Sequence, residues 1–174
     1  MEEIFSVVDE NDNLTKGEER KVVHASKQWH RGIHVFVHNS RGEILVQLRS
    51  PDKDKYPNKY DCSVSGHVDY GNSYEETAVR EMKEELGIKD LELRTVLHFR
   101  MPYGPEDYHV CKLFSCEYDG EIKPNEEISE TRFFGMDELK KAINEKPGMF
   151  TPWFVEMLKW YFKMENMLHV LEVY

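Results

Sequence analysis

Residues 66–88 read GHVDYGNSYEETAVREMKEELGI, and this stretch predicts the clearest helix in the chain. Ser73 and Glu76 have the Ser-x-x-Glu spacing of a capping box, which satisfies two free backbone N–H groups at a helix start. Gly87 follows the last apolar residue and suits the left-handed conformation that ends many helices. We therefore expect a helix over residues 74–86. One face carries the apolar side chains expected to pack on a sheet: Val79, Met82 and Leu86.

Three glutamates leave this predicted helix side by side, at positions i, i+3 and i+4: Glu81, Glu84 and Glu85. Carboxylates at this spacing repel one another by roughly a few tenths of a kcal/mol per pair. Mg²⁺ prefers carboxylate oxygens and keeps coordination positions for water and for phosphate oxygens. A solvated acidic helix face is the alternative interpretation. The spacing is suited to a site in which Mg²⁺ or Mn²⁺ holds a diphosphate.

The same stretch resembles the signature of the Nudix hydrolase family, Gly-x5-Glu-x7-Arg-Glu-apolar-x-Glu-Glu-x-Gly-apolar. The positions that match are Gly66, Arg80, Glu81, Met82, Glu84, Glu85, Gly87 and Ile88. Asn72 stands where the family has a glutamate that usually helps to hold the arginine, so we expect Arg80 to be anchored differently. The resemblance implies a metal-dependent pyrophosphohydrolase with an α/β/α sandwich fold.

The order of predicted elements agrees with an α+β fold in which helices flank a mixed sheet. Strands are predicted at 3–8, 32–38, 43–48, 62–66, 90–98, 108–118 and 131–134, and helices at 74–86 and 137–145. Residues 39–42 supply a hairpin turn, and 18–26 form a short helix or an irregular arm. We expect one domain over 1–174, with an N-terminal strand and arm at 1–30.

A C-terminal helix is predicted over 151–174, because Thr151 offers a capping hydroxyl and Pro152 suits the first helical position. Five of its apolar side chains fall near one face: Trp153, Met157, Trp160, Met164 and Leu171. Core packing explains such a face, and a homodimer surface or a lid over a pocket is the alternative.

Composition limits the class of protein. With 23 Lys and Arg against 33 Asp and Glu, the formal net charge of the 174 residues is −10, which disfavours a nucleic-acid partner. No apolar run reaches the roughly 18 residues of a membrane span, and the N-terminus does not resemble a secretory signal. The three cysteines are odd in number and are expected to stay reduced: Cys62, Cys111 and Cys116. We expect a cytoplasmic protein that acts on a small molecule.

The family resemblance also implies roles for residues around the signature. Glu81 and Glu85 would hold Mg²⁺ or Mn²⁺ together with the backbone carbonyl of Ser65 or Gly66. Arg80 would orient the glutamates, and Glu84 would complete the metal shell or accept the proton of the attacking water. A later loop offers other candidates for that base: Glu126, Glu127 and Glu130.

Residues 18–134 resemble more closely the branch that contains isopentenyl-diphosphate isomerases and related hydrolases. This resemblance implies that Arg49 and Lys53 bind the diphosphate. It also matches histidines that hold a second metal in the isomerases: His24, His30 and His67. Ser65 stands where the isomerases use a cysteine acid, and His109 stands where they use a glutamate. A serine hydroxyl is a much weaker acid than a thiol, so hydrolysis is favoured over isomerisation.

Two further alternatives remain, an isopentenyl-diphosphate isomerase and a module that senses a nucleotide without turnover. The substrate is not fixed by the signature. A nucleoside di- or triphosphate is slightly preferred over a prenyl, sugar or alcohol diphosphate. Aromatic residues near the expected pocket could stack a base or simply pack: Tyr56, Tyr60, Tyr103 and Tyr108.

Overall fold

A computed structural model describes residues 3–174 of the chain. Strands predominate in it, and a few helices interrupt them. The strands are β1 Ile4–Val8, β2 Leu14–Glu19, β3 Trp29–His38, β4 Ile44–Arg49, β5 Tyr60–Asp61, β6 Val64–His67, β7 Arg94–Gly104, β8 Asp107–Glu117, β9 Ile128–Phe134 and β10 His169–Val173. The helices are α1 Arg20–Ala25, α2 Tyr74–Leu86, α3 Met136–Glu145 and α4 Pro152–Tyr161, with a 3₁₀ turn at Pro147–Met149.

The strands form one mixed sheet around β3. β3 lies parallel to β8 along its whole length, from Trp29 opposite Tyr108 to His38 opposite Glu117. On one side the sheet continues through β7 to β10, and on the other through β1 to β2. β6 pairs antiparallel with β3, and β4 pairs with β5 and β9. The middle of β3 therefore lies beside β6, which leads into helix α2.

Both faces of the sheet are covered by helices, as the alternation of apolar side chains in β3 requires. Phe36 packs into a core that includes Leu139 from α3 and Phe154 from α4. Its neighbours Val35 and Val37 belong to the opposite core. That second core includes residues from α2: Tyr74, Ala78, Met82 and Leu86. The predicted α/β/α sandwich is confirmed.

Helix α2 has the predicted bounds and caps. The Ser73 hydroxyl accepts a hydrogen bond from the Glu76 N–H at 3.1 Å, and the Glu76 carboxylate accepts one from the Ser73 N–H at 2.8 Å. Gly87 ends the helix with φ 70°. Val79 was predicted on the packed face, but its side chain is 50% exposed. The buried stripe runs instead through Ala78, one position earlier.

Two features of the N-terminal half go beyond what the sequence predicted. Residues 39–42 do form a turn, but β3 and β4 meet only where His38 lies opposite Ile44. They diverge because β3 pairs with β6 and β8, whereas β4 pairs with β5 and β9. Strand β2 was not predicted, since its sequence LTKGEE lacks an apolar alternation and its pairing with β1 sets its conformation.

The C-terminal helix is shorter than predicted. It ends at Tyr161, and Lys163 adopts a left-handed conformation with φ 55°. The buried Glu156 carboxylate accepts a hydrogen bond from the Met167 N–H at 2.7 Å, which holds the chain in a non-helical path. Leu171 therefore lies on β10, which pairs antiparallel with β7, and not on a helix face.

The start of α4 also differs in detail. Pro152 occupies the first helical turn as predicted, but the Thr151 hydroxyl makes no capping hydrogen bond. It donates to the Asp61 carboxylate at 3.0 Å. Trp153 and Met157 are buried in the core, so core packing explains the apolar face of this helix. The homodimer stays a prediction.

Within residues 3–174, every helix is too short or too polar to serve as a membrane span.

Candidate functional site

The signature glutamates face a pocket between α2, the sheet and the loop that follows β4. The pocket has a volume of about 470 Å³. Its lining includes nearly all of the residues that the sequence singled out: Arg49, Lys53, Ser65, Gly66, His67, Arg80, Glu81, Glu84 and Glu85. Glu126 and Glu130 are not among the described residues that line it, whereas Glu127 is. The structure thus brings the predicted metal and diphosphate residues together.

Glu81 and Glu85 are the two signature glutamates that are largely withdrawn from solvent in this pocket. Glu85 is 6% exposed, and its carboxylate accepts a hydrogen bond from the Gln47 side-chain amide at 3.1 Å. Burial raises the pKa of Glu81 to about 7. Burial, together with the charge of Glu81, raises the pKa of Glu85 well above its usual range. Burial thus disfavours the ionised form of both carboxylates, and a cation bound beside them would stabilise that form.

Gly66 lies against this acidic pair because strand β6 packs on α2. A Cβ atom at position 66 would lie 2.9 Å from the side chain of Glu81, so a larger residue would displace the carboxylate. The close approach brings the backbone of Ser65 and Gly66 to the same part of the pocket as Glu81. This placement supports the predicted use of a backbone carbonyl there as a metal ligand.

Arg80 is anchored by three carboxylates. Its guanidinium donates to Glu84 at 3.0 Å, lies 2.9 Å from the Glu81 carboxylate, and donates to Asp69 at 3.4 Å. Asp69 lies in the turn before α2, where the backbone is held by hydrogen bonds to β1. Asn72, at the departure from the signature, is exposed. Asp69 thus supplies the anchoring carboxylate that Asn72 lacks.

The resemblance implies a metal-dependent hydrolysis of a diphosphate. We expect Asp69→Asn to lower the kcat of this reaction about tenfold, because Arg80 would hold Glu81 less well. Stability should change by no more than about 1 kcal/mol, since the pair is partly exposed. The added change Asn72→Glu restores the family's anchoring residue and should recover most of the activity. Steady-state kinetics of both variants tests this expectation, and full activity of Asp69→Asn alone would contradict it.

Cationic side chains line the same pocket as these acids, at the end of β4 and on the loop that follows it. Arg49 is largely buried, and its guanidinium donates to the Asp61 carboxylate at 3.2 Å. Lys53 pairs with Glu127. Lys55, which the sequence did not single out, lies 2.8 Å from the Asp107 carboxylate. These cations share the pocket with Glu81 and Glu85, as expected for a site that binds a diphosphate through metal ions and basic groups together.

A cluster of imidazoles occupies the end of the pocket near β1 and α1. One ring nitrogen from each of His24, His30 and His67 lies within 4.8 Å of the others. Asp107 and His109 adjoin the cluster, and a His109 ring nitrogen lies 2.7 Å from the Asp107 carboxylate. Burial lowers the pKa of His30 and His67 well below the usual value, which keeps both rings neutral.

These histidines fit a metal. The Nε2 atoms of His24 and His30 are buried and make no hydrogen bond, yet they lie 3.4 and 3.7 Å from the Asp107 carboxylate. Neutral imidazoles and a carboxylate are the donors that Zn²⁺ and Mn²⁺ accept. Sequence reasoning had found the three histidines but not Asp107 as their partner. The pairing of β3 with β8, which places His30 opposite His109, was the missing information.

Aromatic rings line the pocket, and both faces of one of them, Tyr103, are covered. Tyr103 is stacked between His109 and Trp153, at centroid distances of 4.1 and 4.8 Å. The Trp153 N–H donates to Asp61 at 2.8 Å, and the Tyr103 hydroxyl contacts His34 at 2.5 Å. The other tyrosines considered from sequence pack against aromatic rings. Tyr56 contacts Trp153, Tyr60 contacts Phe134, and Tyr108 contacts Trp29.

The chain matches the model of the NUDIX domain over residues 28–154. An uncharacterized Nudix hydrolase of Yersinia pestis is 35% identical over 153 residues, which cover 86% of this chain and 80% of the relative. The prenyl-diphosphate phosphatase of Methanosarcina mazei is 33% identical over 155 residues, covering 86% and 89%. Isopentenyl-diphosphate Delta-isomerase 2 of Photorhabdus laumondii is 28% identical over 163 residues, covering 91% and 92%.

A solved structure shows the same fold. The crystal structure of DR0079 from Deinococcus radiodurans superposes with a TM-score of 0.76 at 24% identity, covering 94% of this chain and all of the other.

Proposed function

The chain belongs to the Nudix hydrolase family, in the branch that includes isopentenyl-diphosphate isomerases, and we propose that it uses Mg²⁺ or Mn²⁺ to hydrolyse a small organic diphosphate. One observation carries this proposal. The buried acids Glu81 and Glu85 share a pocket with the cations Arg49 and Lys53. A diphosphate held through metal ions at these glutamates would need cationic side chains for its remaining oxygens.

We assign the metal to Glu81 and Glu85 with the backbone carbonyl of Ser65 or Gly66. A bound Mg²⁺ or Mn²⁺ would neutralise charge on the diphosphate and acidify water. Arg80 holds the Glu81 carboxylate in place through the contacts described above. Glu84 is 53% exposed at its side chain, and it is our candidate for the base that accepts the proton of the attacking water. Glu127 is the alternative base within the pocket.

The aromatic wall offers no support for a nucleobase as the rest of the substrate. Both faces of the Tyr103 ring are covered, and the polar ends of Tyr103 and Trp153 are engaged inside the protein. A base would find neither a stacking face nor a hydrogen-bonding edge on these two residues. The relative from Methanosarcina mazei is named a prenyl-diphosphate phosphatase. We therefore place isopentenyl or prenyl diphosphates ahead of the nucleotides that the sequence slightly preferred.

Isomerisation is less well supported by the same pocket. Ser65 replaces the thiol acid of the isomerases, and its hydroxyl contacts the Asp61 carboxylate at 3.4 Å. A hydroxyl cannot protonate an alkene at the rate that a thiol can. All three glutamates of the hydrolase signature are also present on α2, which supports hydrolysis. The expected reaction transfers the terminal phosphoryl group to water and yields a monophosphate and orthophosphate.

A screen of diphosphates with Mg²⁺ or Mn²⁺ tests the proposal. It should include isopentenyl diphosphate, geranyl diphosphate, ADP-ribose and nucleoside triphosphates, with mass analysis of products and an assay of released phosphate. We expect a prenyl monophosphate and orthophosphate, and none from Glu85→Gln. Dimethylallyl diphosphate without phosphate release would identify an isomerase. Tight binding without turnover would identify a sensing module.

A second metal ion at the histidine cluster is proposed from the unpaired ring nitrogens of His24 and His30. The wild type loaded with Mn²⁺ should then hold two ions per chain, and His24→Gln should hold one. His24 is the suitable position because its ring is only partly buried, so the substitution disturbs the fold least. Elemental analysis after gel filtration measures the stoichiometry. Equal metal content in wild type and variant would exclude this second site.

A further inference from the structure

Asp61 is a buried carboxylate beneath the pocket that the sequence did not single out. Its side chain is 0% exposed. The groups that surround it all donate hydrogen bonds: the Cys62 N–H at 2.8 Å, the Thr151 hydroxyl at 3.0 Å, the Trp153 N–H at 2.8 Å, the Arg49 guanidinium at 3.2 Å and the Ser65 hydroxyl at 3.4 Å. A buried carboxylate with this many donors is satisfied on both oxygens and fixed in orientation.

Arg49 is the cation in this set, and its guanidinium is held in a single orientation. Besides the bond to Asp61, it donates to the backbone carbonyl of Tyr56 at 3.2 Å and to that of Lys55 at 3.0 Å. Three of the five N–H groups of an arginine are engaged by these contacts. The side chain still lines the pocket, so its other N–H groups can reach a ligand there.

We infer that Asp61 is a positioning residue that orients Arg49 toward the diphosphate; this inference rests on the proposed function. Asp61 lies between the two parts of the site. One of its oxygens binds Arg49, on the side of the phosphates, and the other binds Trp153, in the aromatic wall. The same carboxylate therefore fixes the distance between the phosphate-binding group and the wall that faces the rest of the substrate.

Asp61 and Arg49 depend on each other, because removing either one leaves the other without its opposite charge. A buried carboxylate without its arginine is left as an uncompensated charge. An arginine without the carboxylate keeps only its two contacts to loop carbonyls, which do not fix its charge in place. The neutral pair Arg49→Gln with Asp61→Asn avoids both problems and can be compared with Arg49→Gln alone.

The test measures binding of methylenediphosphonate, a diphosphate analogue that is not hydrolysed, in the presence of Mg²⁺ by titration calorimetry. We expect Asp61→Asn to weaken binding about tenfold. The double variant should bind no more weakly than Arg49→Gln, within about twofold, because Asp61 acts through Arg49. Thr151→Val is the matched control. It removes a donor to the same carboxylate, so it should lower Tm but leave binding unchanged.

Three results would overturn the inference. Binding by Asp61→Asn at wild-type strength would show that Arg49 needs no orientation by Asp61. A double variant several-fold weaker than Arg49→Gln would show that Asp61 acts by another route, and this comparison holds even if Asp61→Asn alone fails to fold. An absence of binding by the wild type would remove the diphosphate site itself, and with it the proposed function.

Discussion

Glu85→Gln should lower the kcat of metal-dependent hydrolysis by about 10³-fold, which corresponds to about 4 kcal/mol of transition-state stabilisation. The carboxylate is almost fully buried beside Glu81, so it can hold a cation out of bulk water, where its charge acts strongly. An amide of the same shape carries no charge to offer the metal. Its oxygen can still accept the hydrogen bond from Gln47, so the fold should be kept.

The matched control is Glu75→Gln, which removes an equal charge from the first turn of the same helix. Glu75 lies on the outer side, where its carboxylate accepts a hydrogen bond from Lys112 at 3.1 Å. Steady-state kinetics at saturating Mn²⁺ should show wild-type turnover for this variant. The kcat values of Glu84→Gln and Glu127→Gln are compared in the same assay. The glutamate whose substitution lowers kcat more is identified as the base. Full activity of Glu85→Gln would show that the metal site lies elsewhere.

Helix α2 could be predicted to the residue because its signals are local. The capping box, the C-terminal glycine and the glutamate spacing all lie within the 23 residues from 66 to 88, and each acts on neighbouring backbone groups. The carboxylates therefore share a face whatever the rest of the chain does. Only the exact buried stripe was misjudged, since Val79 lies at the edge of the helix face that meets the sheet.

The groups that complete the rest of the pocket depend on strand order, which no local pattern records. Asp107 and His109 reach the histidine cluster because β8 lies parallel to β3, and the two strands are separated by about 70 residues. Asp61 meets Thr151 and Trp153 across 90 and 92 positions of sequence. A resemblance could suggest the matching histidines, but the contact between distant strands had to come from the structure.

The C-terminal segment shows a second limit of sequence patterns. Residues 164–171 continue an apolar spacing that fits a helix, yet the chain turns at Lys163 and pairs as β10 with β7. A free edge of β7 and the Glu156 carboxylate, which accepts the Met167 N–H, outweigh the local preference. Tertiary hydrogen bonds of this kind are invisible to periodicity.

Glu81→Gln should stabilise the metal-free protein at alkaline pH while abolishing its activity. Burial raises the pKa of Glu81 to about 7 in the folded state, whereas an unfolded glutamate has a pKa of about 4.3. Between these values Glu81 binds more protons in the folded state than in the unfolded state. Its contribution to the stability of the wild type therefore falls as pH rises toward 7. Above pH 7 the full cost of the buried charge is present, up to about 4 kcal/mol. The neutral amide avoids this cost.

Thermal unfolding in EDTA from pH 5 to pH 8 measures the effect. The difference in Tm between Glu81→Gln and wild type should be small at pH 5 and reach several degrees at pH 8. This difference removes the contribution of the buried histidines, whose lowered pKa values make stability rise with pH in both proteins. It reports on Glu81 together with its effect on Glu85, because the charge of Glu81 raises the pKa of Glu85. Adding Mn²⁺ should reverse the order, since a cation stabilises the ionised pair of the wild type and binds the variant weakly. A difference in Tm that does not change with pH would show that Glu81 ionises normally and that its burial creates no demand for a cation.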